Sequence, residues 1–164
     1  MFNQEKEAWR NLPVKRDRQF EPLVEKLCTN KDGNKQVFRF IKDLMVFAAM
    51  VGYSIDKRKA LVGDGVSIIL DTYSTDRKDA FIYLIALITE KNGSILKDEN
   101  LPKAIKIFEE YCNAGLEKIK LWLDENPKDH IGVDTLFDKI YEQVINNERN
   151  SKDEALPEEL EIDL

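Results

Sequence analysis

Histidine, cysteine, glycine and proline are all scarce in this chain of 164 residues: one His, two Cys, seven Gly and five Pro. Each shortage closes off a class of protein. Cys28 and Cys112 stand far apart with no His or Cys beside either, which speaks against a disulfide framework and against zinc-type ligand spacing, and fits a reducing compartment. His130 is alone in PKDHIG, next to Asp129, with no serine or cysteine nucleophile marked out nearby. A surface or capping histidine is therefore the simpler reading than a general base. The glycines form no phosphate loop. GDG at Gly63–Gly65 lacks the longer glycine pattern and the Lys-Ser/Thr ending, so it reads as a tight turn. Few glycines and prolines also argue against long irregular segments and for a helical domain.

Long apolar runs are missing too. None approaches the length of a membrane span, and the opening MFNQEKEAWRNL lacks the apolar core of a signal peptide. The expectation is a cytoplasmic protein with no membrane partner. No internal repeat is visible, and no linker divides the body. Glu109, Glu110 and Glu117 are the nearest thing to paired carboxylates. Adjacent acids on a helix diverge by about 100°. With Lys103, Lys106, Lys118 and Lys120 around them, they read as a solvated, salt-bridged face. These shortages leave little for catalysis. The expectation is a non-enzymatic protein with no cofactor and no metal site. The alternative on that count is a metal-dependent hydrolase whose acids converge only in the fold.

What is present is core and charge. Hydrophobic residues make up 43% and charged residues 34% of the chain, and the net charge is −6. That average hides a gradient. From Glu148 to Leu164 seven acids stand against two bases, while residues 1–42 carry ten bases against six acids. An acidic end and a basic front leave room for a local basic patch but not for nonspecific nucleic-acid binding over the whole surface.

The strongest periodic signal runs from Val37, through VFRFIKDLMVFAAMVGYSIDKRK. Val37, Phe38, Ile41, Leu44, Met45, Ala48 and Val51 recur at helical spacing, and Phe40, Val46, Phe47 and Ala49 fill much of the other side. This predicts a central helix from an Asn34 N-cap to a stop at Gly52. A short helix is expected over Asn3–Leu12, stopped by Pro13, and another over Asp17–Leu27 with Pro22 in its first turn. VSIILDTY at Val66–Tyr73 is the one segment with strand character, with no visible partner unless another copy of the chain supplies it, which keeps a homo-oligomer open. DRKDAFIYLIALITEK, capped by Thr75 or Asp76, should bury Phe81, Leu84, Ile85 and Ile88. PKAIKIFEEYCNAG should turn Ile105, Phe108 and Cys112 inward and break or bend near Gly115, with Leu116, Ile119, Leu121, Trp122 and Leu123 continuing the pattern. Asp134 can cap a last helix with Leu136, Phe137, Ile140, Tyr141, Val144 and Ile145 at helical spacing. The fold class is mainly α: one compact helical domain over residues 1–147, about six or seven helices, with an extended segment near 66–73. Residues 148–164 read as an acidic tail, disordered or ordered by a partner.

Two basic groups rise above the background: Lys15, Arg16 and Arg18, at the start of the second helix, and Lys57, Arg58 and Lys59, after the central one. Both types of residue contact phosphates well, without reading sequence. Clusters this short are also common as solubilising surface, or as docking sites for an acidic protein or the chain's own acidic end.

FRFIKDLMVFAAMVGYSIDKRKAL, then DRKDAFIYLIALI, then IFEEYCNAGLEKIKLWL resemble, in order and spacing, the DNA phosphorothioation (dnd) system-associated protein 4 family. The opening PVKRDRQFEPLVEKL is similar to that family's basic N-terminal segment and helix. The resemblance covers about residues 13–124, and none of its motifs is catalytic. It implies a small accessory or regulatory protein of bacterial systems that replace a nonbridging DNA phosphate oxygen with sulfur, or that restrict DNA lacking that mark as a phage defence. Such systems use a cysteine desulfurase, iron–sulfur and ATP-using components, and this chain resembles none of those. The expected partners are other proteins of the same system. The alternative is a module that binds DNA directly through its basic clusters.

Overall fold

The computed structural model describes residues 8–29 and 36–153. Among these there are six α-helices and one two-stranded ribbon, in the order β1 (Pro13–Arg16), α1 (Glu21–Cys28), α2 (Ile41–Ser54), β2 (Val66–Ile69), α3 (Leu70–Ser74), α4 (Asp79–Glu90), α5 (Leu101–Glu125) and α6 (Val133–Asp153). Single 3₁₀ turns fill several of the connections. The mainly α reading holds. The expected helix over Asn3–Leu12 is, among the described residues, only a 3₁₀ turn at Ala8–Asn11 that ends before Pro13. The capping residue Asn34 lies outside the described residues, and the central helix starts later than expected, at Ile41 after an extended Phe40.

The centre is the crossing of α2 and α5, and glycine sets its closeness. A Cβ on Gly115 would stand 1.7 Å from the carbonyl oxygen of Ala48, and one on Gly52 would stand 2.0 Å from that of Tyr111. A helix can approach its neighbour's backbone this closely only where the residue at the contact has no Cβ. This corrects two expectations. Gly52 does not end α2, and Gly115 does not break α5, which runs unbroken over 25 residues. Glycine costs a helix about 1 kcal/mol relative to alanine; here packing outweighs that cost. The stop signal of α2 is instead Asp56, which takes a left-handed backbone (φ 50°). The Asp56 N–H donates to Tyr53 O at 2.9 Å and the Lys57 N–H to Gly52 O at 3.0 Å, the paired bonds of a Schellman end.

Around this crossing lie Leu44, Met45, Ala48 and Ala49 from α2 and Ile105, Phe108, Cys112, Leu116 and Ile119 from α5, all buried. α4 lies along α5 and buries Ile82, Ile85 and Ala86. Phe81 and Leu84, expected inside, are exposed at 36% and 47%. The helix starts at Asp79, later than the Thr75 or Asp76 cap, and its buried face runs through Ile82, Ile85 and Ala86. Tyr73 of α3 is fully buried, its ring edge-on to Phe108 and its hydroxyl donating to the Met45 sulfur at 3.0 Å.

VSIILDTY does find a partner, within its own chain. β2 pairs antiparallel with β1, with Val14 opposite Ile68 and Arg16 opposite Val66. The strand ends at Ile69, and Leu70 opens α3. A lone ribbon is marginal in water, so β1 leans on α5: the Lys15 N–H donates to Glu109 Oε1 at 2.6 Å and the Asp17 N–H to Asn113 Oδ1 at 2.9 Å.

α6 follows the turn at residues 126–132. Asp129, not Asp134, serves its first turn: its carboxylate accepts from the Gly132 N–H at 2.7 Å and from the N–H and hydroxyl of Thr135, both at 2.8 Å. Asn126 Nδ2 adds a bond to the Thr135 hydroxyl at 2.9 Å. Leu136 anchors the helix in the core. The helix continues past 147 to Asp153, so the stretch first set apart as tail begins as helix.

Candidate functional site

The two basic clusters meet different fates. Lys15 and Arg16 lie in β1, not at a helix start, and alternation turns the Arg16 side chain inward, to 2% exposure. Its Nε and Nη2 donate to Glu21 Oε1 at 3.0 and 2.7 Å, and Nη1 is buried without a protein partner. A guanidinium so placed holds β1 to α1 and is out of reach of an external phosphate. Arg18 stands exposed beyond it, and Lys15 is half-buried.

The second cluster is laid along α5. The Lys59 N–H donates to Glu110 O at 2.9 Å, and the Arg58 guanidinium pairs with Glu110 Oε2 at 2.6 Å while stacking over the Tyr111 ring. Lys59 pairs with Glu117. Further along, the Val62 N–H reaches Asp17 Oδ2 at 3.4 Å. Glu109, Glu110 and Glu117 thus take partners from the ribbon and the loop rather than from the lysines of their own helix. Burial pushes the Glu109 carboxyl above its usual value, against the pull of the Lys15 N–H and ammonium. Of the six candidate contact residues, Arg16 is internal and Arg58 and Lys59 are paired within the chain. Arg18 and Lys57 are exposed with no ion pair among the described residues.

The thiols are quiet. Cys112 is fully buried, and burial lifts its pKa far above the ordinary range; Cys28 is pushed up to about 11 for the same reason. Both stay as unreactive SH groups at neutral pH. His130 is exposed. Among the described residues no group of three or more His, Cys, Asp or Glu is arranged to hold a metal. No helix among them is long and apolar enough to cross a membrane.

A different surface carries a row of exposed apolar side chains. On α6, Phe137, Tyr141 and Val144 are 68%, 58% and 50% exposed, at a spacing of four and then three residues. The rings of Phe137 and Tyr141 stack at 6.3 Å, only 6° from parallel. Beside this stripe a groove of about 310 Å³ opens between α2 and α6, lined by Phe47, Met50, Val51, Ile140 and Val144 with Ser54, Gln143 and Asn147 at its polar edge. Spacing groups these three with Leu136, Ile140 and Ile145 and does not tell which of them are buried, because an exposed apolar helix face has the same periodicity as a buried one.

A family model described as DNA sulphur modification system-associated protein 4 matches residues 13–158. The chain belongs to that family. It matches no curated protein and no solved structure. The family segment opens at Pro13, the first residue of β1, and takes in the ribbon, all six described helices and the α2–α6 groove. α6 therefore belongs to the family's common body, well beyond the point near residue 124 where the likeness of motifs fades. Membership links the chain to a DNA sulphur modification system.

Proposed function

We propose that this protein is a non-enzymatic accessory or regulatory subunit of its DNA sulphur modification system, and that it works through contacts with the system's other proteins. The observation that carries this reading is the outward stripe of Phe137, Tyr141 and Val144 beside an apolar groove, inside the segment shared by the family. Large apolar side chains rimmed by polar ones mark protein contact sites. Direct DNA binding is less well supported, since half of the candidate cations are spent inside the molecule. The test is co-purification of the tagged full chain with the products of its neighbouring genes, expressed together. Stable association with one of them, lost on replacing Phe137 and Tyr141 with Ser, is expected. Association with none, together with DNA cleavage that needs a divalent metal and one carboxylate of this chain, would replace the reading with an enzymatic one.

A further inference from the structure

Resting on the protein-contact reading above, we infer that the α2–α6 face receives a basic amphipathic helix from another protein of the system. The shape comes first. Phe137, Tyr141 and Val144 follow one another along one face of α6, the pattern of anchors in a helix-against-helix contact. The groove beside them is about 310 Å³. A cavity of about 150 Å³ holds a benzene ring, so the groove has room for about two apolar side chains from one face of a docked helix. Both walls are helices, so this face has no sheet edge to which an extended strand could add.

Charge then selects the partner. The outer margin of the stripe is Asp134, Asp138 and Glu142, spaced one turn apart and all exposed. Glu142 is partly offset by Lys139 at 3.4 Å, while Asp134 and Asp138 have no ion pair among the described residues. A second copy docked through the same stripe would bring acidic margin to acidic margin, which like-charge repulsion disfavours. DNA is repelled by the same row. A helix with an apolar edge and lysines or arginines along its flank satisfies both the groove and the margin.

The experiment places a photoreactive benzoylphenylalanine at Phe137 of the full chain, co-expresses the neighbouring genes, and identifies the cross-linked peptide by mass spectrometry. The expected product joins position 137 to a segment of another system protein with apolar residues at helical spacing and a net positive charge. The double variant Asp134→Asn, Asp138→Asn should weaken that association about fivefold at low salt and flatten its salt dependence. Phe137→Ala should weaken it about tenfold or more. A cross-link to a second copy of this chain, or to an acidic or extended segment, overturns the inference. So does association with a system protein that is indifferent to all three positions, although that result leaves the accessory reading standing. Failure to associate with any system protein removes both.

Discussion

α5 and α6 are both long amphipathic helices, adjacent in sequence, yet only one of them hides its apolar side. Phe108 on α5 is fully buried and edge-on to Tyr73; Phe137 on α6 is 68% exposed and stacked only on Tyr141 of its own helix. α5 is covered by α2, α4 and the ribbon, with its backbone pressed against α2 at Gly115. α6 touches the body through Leu136 and one flank. The same sequence pattern thus serves two ends. On α5 it stabilises the fold, and on α6 it leaves apolar side chains exposed. Burial, not periodicity, tells them apart, and mutational cost should follow burial.

The sharpest challenge to this contrast is Gly115→Ala. The added methyl would lie 1.7 Å from a backbone oxygen that has no rotamer to yield. The two central helices must separate, at an expected cost of about 4 kcal/mol or more, read as a collapse of the urea midpoint. Phe108→Ala should follow closely, at about 3–5 kcal/mol from lost burial and the cavity left behind. If either variant melts like the parent chain, α5 is not the centre of the fold.

Asp129→Asn addresses the join between the two helices. It weakens three hydrogen bonds that start α6 and should cost about 1–2 kcal/mol, seen as faster hydrogen exchange along α6 with α5 unchanged. Partial burial works against the Asp129 carboxylate, but the donors of Thr135, Gly132 and Ile131 outweigh it and hold its pKa below the ordinary aspartate value. A lowered folded pKa means stability that is fully present above the unfolded value and lost as pH falls through the folded one. α6 protection should therefore decline below about pH 4, and the Asn variant should lose that acid-sensitive step.

Phe137→Ala should change folding stability by less than about 0.5 kcal/mol, despite removing a whole ring, because the ring is already in water. A loss comparable to Phe108→Ala would show that α6 is core after all. The smallest effect on folding is expected for Lys57→Ala, an exposed side chain with no ion pair among the described residues. Its thermal midpoint should match the parent's, and low-salt DNA affinity, if the chain has any, should fall uniformly across sequences.

Much of this was legible in the residues. The inward positions Ile105, Phe108 and Cys112, the first-turn Pro22 of α1 and the helical character of the domain follow from spacing alone. What escaped has physical reasons. Glycine ends helices and also lets them touch, and only the neighbour across the gap decides which; Gly52 and Gly115 do the second. PVKR carries one aliphatic core residue, so β1 has almost no strand signature until β2 folds against it. Arg16 is charged in the sequence like Lys15, and only the alternation of a strand nobody would draw there sends it inside. The loop cations were visible as a cluster, but their partners Glu110 and Glu117 lie more than fifty residues away in the chain.

Lys42 offers a last consequence. Its ammonium is tucked under the start of α4, donating to Thr72 O at 2.8 Å and Thr75 Oγ1 at 3.2 Å and pairing with Asp76 at 3.0 Å, while the side chain is only 8% exposed. An amine-reactive reagent in solution will modify the exposed lysines freely and reach this one only when α2 parts from the turn before α4. The extent of labelling at Lys42 is therefore a built-in gauge of opening where the start of α2 meets the turn between α3 and α4. It can be read by mass spectrometry from native protein without a mutation or a dye.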